Sequence, residues 1–305
     1  MLMREQLRDA AELALCASGA RQISRWRARR RTLVLAYHNV VPAGALAGGD
    51  RSLQLPVADF AAQLDALMTT HDVIPLADAL KPAPLHRRRP CAAITFDDAY
   101  CGAVTAGVEE LARRSLPATI FVSPAYLNGC AFWWDLLSQA GSQLPDDIRE
   151  FALTALRGEG NEIRAWAERQ GIASRPLPAH ALCASEDELG RAVGRAGITV
   201  ASHSWSHANL TQLGAARLRE ELWRPIEWLR TRFDAFVPLL SYPYGLSSAG
   251  VEAAAASAGY VAALRVTGGW MRSRPSNAFA IPRLNVPSGI SRRGFALRAD
   301  GMLCR

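Results

Sequence analysis

Apolar residues along the chain fall into short unbroken runs separated by longer stretches of mixed polarity. The runs are "TLVLAYH" (32–38), "CAAITFD" (91–97), "ATIFVS" (118–123), "ITVASH" (198–203), "PLLSYP" (238–243), "YVAALRV" (260–266) and "FAIPRLNV" (279–286). Being continuous rather than alternating, they read as parallel strands covered on both faces. Helical periodicity fills most of the gaps, at 56–71, 103–114, 213–233 and 247–258, the first with Phe60, Leu64, Leu67 and Met68 on one face. This alternation predicts an α/β fold, either a (β/α) barrel or an open doubly wound sheet.

Two stretches depart from the rhythm. Residues 131–190 contain "FWWDLL", the amphipathic stretches "DDIREFALTALRG" and "NEIRAWAERQG", and "SEDELGRAVGRAG", but no strand pattern. They are expected to form a helical insertion in a βα connection, where barrels carry their additions. Its last helix opens on Ser185 with Glu188 three residues on, a capping-box pattern. At the other end, residues 1–31 predict a basic N-terminal helix with Leu7, Ala10, Ala11, Ala14 and Leu15 at helical spacing, followed by "RWRARRR" at 25–31. Such a helix either packs on the domain that fills 32–305 or anchors the chain peripherally on an anionic membrane surface.

Composition narrows the class. The 305 residues are 50% hydrophobic, enough for one sizeable core, and no apolar run approaches the ~20 residues of a membrane-spanning helix. The net charge of +7 does not point to nucleic acid, because the arginines are dispersed, with a second small cluster at 86–90, and Lys81 is the only lysine. Cysteines 16, 91, 101, 130, 183 and 304 form no C-x-x-C pair, so no structural zinc site or disulfide framework is expected. Free thiols and a charged N-terminus lead to the expectation of a cytoplasmic protein.

The chemistry begins where the second run stops on Asp97 and Asp98. Adjacent side chains at a strand end diverge, which suits two separate tasks; a helix N-cap is the alternative. After another run, "HSWSH" sets His203 and His207 four apart, the spacing that puts two imidazoles on one face of a helical turn. Barrel strands converge at their C-terminal ends, so the acids and the imidazoles can share one cavity. Two His and one carboxylate leave open positions on a divalent ion and suit Zn²⁺ or another first-row metal, with the second carboxylate free to act as base.

In this order, "TFDD", "HSWSH" and "SYPYG" resemble the signatures of the metal-dependent polysaccharide deacetylases of carbohydrate esterase family four, over roughly residues 32–290. The resemblance implies an incomplete (β/α) barrel of about seven parallel strands. It also implies Asp97 as general base and Asp98, His203 and His207 as ligands of one divalent ion, expected to be Zn²⁺. Tyr244 would offer its backbone N–H to the oxyanion, with Pro243 beside it in the substrate-binding wall. Trp205, lying between the two His ligands, is the tryptophan expected to stack on a sugar face, ahead of Trp133 and Trp134.

Two positions depart from the family pattern. Ser241 stands where the family places the Arg that orients the base, so Arg265 or Arg283 must take that part. No histidine follows His207, so the late protonating His is missing. "YHNV" at 37–40 resembles a permuted subgroup whose acid is N-terminal, which makes His38 the expected acid. The implied activity is removal of N-acetyl groups from an amino-sugar glycan, with no obligate protein partner. The alternatives are a deformylase or deacetylase of a lipid-linked sugar, and a glycan-binding protein without catalysis.

Overall fold

The computed structural model describes residues 2–46, 48–81, 87–138, 142–272 and 275–302, with side chains from residue 10 onward. Its centre is an incomplete (β/α) barrel. Strands β1 (Arg31–Tyr37), β2 (Cys91–Phe96), β3 (Ala118–Val122), β4 (Ile198–Ser202), β5 (Phe236–Ser241) and β6 (Ala262–Leu264) pair in that order, all parallel. Every residue of β2 and β3 is buried, as the unbroken apolar runs require. A strand that hydropathy did not single out, β7 (Trp270–Arg272), runs antiparallel on the far side of β1. The expected strand at 279–286 is broken at Pro282, which has no N–H to give a ladder. Ile281 bridges Leu264 of β6, and the two-residue β8 (Leu284–Asn285) pairs parallel with β1, so this one segment closes the seam.

Helices cover the outside. The expected helix at 56–71 is α3 (Val57–Thr70), with Phe60, Leu64 and Leu67 buried, while Met68 is exposed. The expected helix at 103–114 opens with a wide π turn, Ala103–Gly107, ahead of Val108–Arg113. Gly102 starts this element because a Cβ there would stand 2.2 Å from the Val40 carbonyl oxygen. The insertion is helical, with Trp133–Leu137, Asp146–Thr154, Gly160–Arg169 and Glu186–Val193. The capping box forms: the Ser185 hydroxyl accepts from the Glu188 N–H at 3.1 Å, and the Glu188 carboxylate accepts from the Ser185 N–H at 2.8 Å.

The single N-terminal helix is corrected to two, α1 (Leu2–Ala17) and α2 (Ala20–Ala28), broken at Gly19 with φ of 70°. Of these, α1 packs against α5 (Arg292–Ala299), which follows α4 (Ala215–Arg232), and α2 packs against α1. Of the apolar stripe, the side chain of Leu7 lies outside the described residues and Leu15 is half-buried. Ala10, Ala11 and Ala14 are exposed, and Glu12 points inward, where it accepts a hydrogen bond from the Ser291 hydroxyl. Ser291 is the N-cap of α5, and a carboxylate is favoured at that helix end, which turns α1 about its axis. Beneath α2, Arg21 and Arg25 reach the buried Asp300 at 2.5 and 3.6 Å.

Candidate active site

The ends of β1, β2, β4 and β5 open onto a cavity of about 320 Å³. Asp97 and Asp98 follow β2, His38 follows β1, and His203 and His207 follow β4, all lining that cavity. His38 and Asp97 are neighbours by register: Tyr37 pairs with Phe96, and the Asp97 N–H donates to the Tyr37 carbonyl at 2.9 Å.

The loops that carry these groups hold them in strained backbone. Of eight non-glycine residues with left-handed φ among the described residues, Asp98, Ala99, Ser204, His207 and Tyr244 belong to this rim. That conformation costs of order 1–3 kcal/mol per residue and persists where surroundings over-determine it. It also corrects the helical turn expected at 203–207. The segment is a bend, and left-handed Ser204 and His207, tied by the His207 N–H donating to the Ser204 hydroxyl at 3.0 Å, bring the two rings together. Buried Glu221 of α4 anchors the outside of the bend, accepting from the N–H groups of Trp205 at 3.0 Å and Ser206 at 2.8 Å.

The two adjacent acids have opposite surroundings. Arg283 grips Asp97 with both arms, Nη1 to Oδ1 and Nη2 to Oδ2, each at 2.7 Å. The same guanidinium donates to the Ser241 hydroxyl at 2.6 Å and the Thr95 hydroxyl at 3.1 Å, and Ser241 passes a hydrogen bond on to Asp97 at 3.2 Å. Burial alone would raise the Asp97 pKa, but the charge and hydrogen bonds of Arg283 outweigh it and hold the carboxyl well below the usual range. Asp97, the expected base, is therefore oriented by Arg283. Arg265 instead pairs with Glu252 and lends only its carbonyl to Arg283 Nε, at 3.3 Å.

Asp98 has no such partner. Its buried Oδ1 accepts no hydrogen bond and lies 3.5 Å from His203 Nε2 and 3.3 Å from His207 Nε2, which are 3.2 Å from each other. His203 Nδ1 sits 2.8 Å from the Ser241 carbonyl, which can only accept, so Nδ1 carries the proton and Nε2 presents a lone pair. Burial drives the pKa of Asp98 up to about 6 and that of His207 down to about 4, and lowers those of His203 and His38. Three converging ligand atoms, all within 4.8 Å of one another, with Asp98 Oδ1 accepting no hydrogen bond, fit a divalent ion of the kind bound by two imidazoles and a carboxylate.

Of the expected substrate contacts, Tyr244 lines the cavity, its ring 4.6 Å from that of His207, and Pro243 is buried in the turn beneath it. Trp205 is not brought to the cavity. Its ring lies 3.7 Å under the Arg224 guanidinium, and the wall position goes to Trp134. Trp134 is held there by its indole N–H donating to Tyr100 at 2.9 Å, and Tyr100 in turn donates to buried Asp135, whose carboxyl burial pushes up to about 8. The insertion also supplies Asp146 and Arg149 to the rim, the latter fixed by buried Asp50 at 2.6 Å. No motif marked these two; the sequence signal was only the insertion's position in a βα connection.

Residues 86–263 match the family model described as polysaccharide deacetylase. Against proteins of curated function the sequence finds no match. Among solved structures, the chain is similar to IcaB from Ammonifex degensii, with 18% identity over 89% of this chain and 97% of that one and a TM-score of 0.61. It is similar to the putative polysaccharide deacetylase BA0330 from Bacillus anthracis, with 16% identity, coverage of 88% and 69%, and a TM-score of 0.60. A third is the Streptococcus pyogenes deacetylase PplD, solved with acetate, at 14% identity, coverage of 88% and 98%, and a TM-score of 0.59. At such identities these likenesses speak for the barrel, whereas the family model spans more than half of the sequence, including both acids and both imidazoles: the chain belongs to the polysaccharide deacetylase family.

Proposed function

We propose that the protein hydrolyses N-acetyl groups from amino-sugar residues of a glycan, using one divalent ion held by Asp98, His203 and His207, with Zn²⁺ the best match to that donor set. The observation that carries this reading is the contrast between the saturated Asp97 and the orphaned Asp98 in one cavity. When bound, the ion supplies Lewis-acid chemistry, which polarises an amide carbonyl and acidifies water.

The chain's own groups do the rest. Asp97, kept ionised by Arg283, accepts the proton of the attacking water, and the Tyr244 N–H steadies the developing oxyanion. His38 gives a proton to the departing nitrogen, since an amine leaves poorly without one. Its position supports the permuted subgroup: it lines the same cavity from β1, outside the segment matched by the family model.

The test is to load the protein with metal, supply N-acetylglucosamine oligomers and, in parallel, their N-formyl counterparts, and assay released acetate and formate. Asp97→Asn is expected to keep the ion and lose turnover, with a melting curve to show that it is folded. His38→Ala should cut amide hydrolysis by ~10²–10⁴-fold while sparing an activated aryl acetate, whose leaving group departs unprotonated. Equal losses on both substrates would remove His38 from the role of acid, and formate in place of acetate would reassign the acyl group.

A further inference from the structure

The two N-terminal helices turn polar groups toward the barrel and apolar ones outward. In α1, inward Glu12 is taken up at the N-terminus of α5, leaving Ala10, Ala14 and Leu13, the last 53% exposed, on the outside. In α2, Arg21 and Arg25 face Asp300, while Ile23 and Trp26 stand out at 57% and 63% exposure, with Arg27 and Arg30 on the same exposed side. Positions 23, 26 and 27 share one face of α2, and exposed Arg30 follows in the turn after it. Large apolar residues exposed together on adjoining helices mark an interaction surface.

Charge selects what meets it. Residues 20–31 hold arginines at 21, 25, 27, 29, 30 and 31 and no acidic residue. The Arg29 guanidinium lies 4.2 Å over the Trp26 ring, an amphipathic pair of the sort that sits at headgroup level. A second copy of this basic face would repel the first, whereas an anionic bilayer attracts it. Of the two helices, α1 lies toward the catalytic mouth: a neighbouring cavity lined by Ala11 and Leu15 shares Gln143 with the catalytic cavity, while α2 sits where β1 begins. Among the described residues no helix is long and apolar enough to cross a membrane, so the contact is peripheral.

We infer that α1 and α2 seat the protein on an anionic bilayer, with Leu13, Ile23 and Trp26 entering the headgroup layer and the arginines facing the phosphates. The docking rests on these surface residues; that it delivers a membrane-borne glycan to the cavity rests on the deacetylase reading above.

The experiment uses the full chain loaded with metal, co-sedimented with vesicles of phosphatidylcholine alone or with added phosphatidylglycerol across a salt series. Binding is expected to the anionic vesicles, weakening as salt rises. Arg27→Gln should lower the partition coefficient about fivefold, and Ile23→Ser with Trp26→Ser about tenfold or more. Acetate release from soluble N-acetylglucosamine oligomers should be unchanged in both variants. Equal partition onto neutral and anionic vesicles, or undiminished binding by the double variant, overturns the proposal. A wild-type dimer in solution that the double variant dissolves, without vesicle binding, assigns the face to a second copy and overturns it as well. Vesicle binding with no acetate released from any substrate leaves the docking standing and sinks the deacetylase reading instead.

Discussion

The base side and the ligand side of the cavity are built from neighbouring residues on opposite plans. Around Asp97 the protein supplies its own cation and saturates it: Arg283 spends its donors on Asp97, Ser241, Thr95 and the Arg265 carbonyl. Around Asp98 it supplies no cation, and the Nε2 atoms of two imidazoles face a carboxylate oxygen that accepts no hydrogen bond, at 3.3 and 3.5 Å. An isolated buried carboxylate is costly unless paired, so one side is complete as folded and the other is completed by what it binds. Adjacency in sequence therefore says little about role; what surrounds each carboxylate decides it.

Breaking the ligand side should have the largest effect. Asp98→Asn is expected to lose the divalent ion and with it about 4 kcal/mol or more of transition-state stabilisation, roughly a thousandfold in rate. Elemental analysis and acetate release check both. Breaking the base side should instead cost stability. Arg283→Met leaves Asp97 buried without its cation and is expected to destabilise by about 3–5 kcal/mol in denaturant melts while metal content holds.

The contrast sharpens with pH in chelator-treated protein. The Asp98 pKa is raised from its ordinary carboxylate value to about 6. The folded state therefore binds this proton more tightly than the unfolded chain, and ionising Asp98 above that pH works against folding. Asp98→Asn should accordingly be more stable than the parent at pH 7, by at most about 3 kcal/mol, with the gain shrinking as pH falls from 6 toward 4. Asp97 runs the other way: its pKa is depressed, so its stabilisation stays fully present over that range. A gain that grew on acidification would contradict the assignment. The smallest effect belongs to Ser241→Ala, about 1 kcal/mol, because Arg283 keeps both bonds to Asp97 when that hydroxyl is removed.

Much of this was legible in the chain because it is local. Parallel strands buried on both faces leave unbroken apolar runs, and the residues that follow β2 and β4 are the acids and imidazoles themselves. What was not legible depends on register or on competition. The partner of Asp97 lies 186 residues away, and only the pairing of β8 with β1 shows that it is Arg283 rather than Arg265. His203 and His207 meet through two left-handed residues, which spacing alone misreads as a helical turn. Trp205 stands between the ligands in sequence, yet its N–H goes to Glu221 and its ring to Arg224, away from the cavity. The rotation of α1 was hidden for a similar reason: periodicity ranks apolar residues, while a hydrogen bond from Ser291 to Glu12 set the face.

The broken segment that closes the seam gives the enzyme an order of assembly. As the chain emerges from its N-terminus, Asp98, His203 and His207 are all present well before Arg283, which arrives on the last piece of sheet between β6 and β1. A barrel lacking that piece would own its ligand set but leave Asp97 buried with no counter-charge. Under the proposed mechanism, competence for proton transfer thus arrives with closure, because Asp97 gains its counter-charge only when the segment carrying Arg283 is in place.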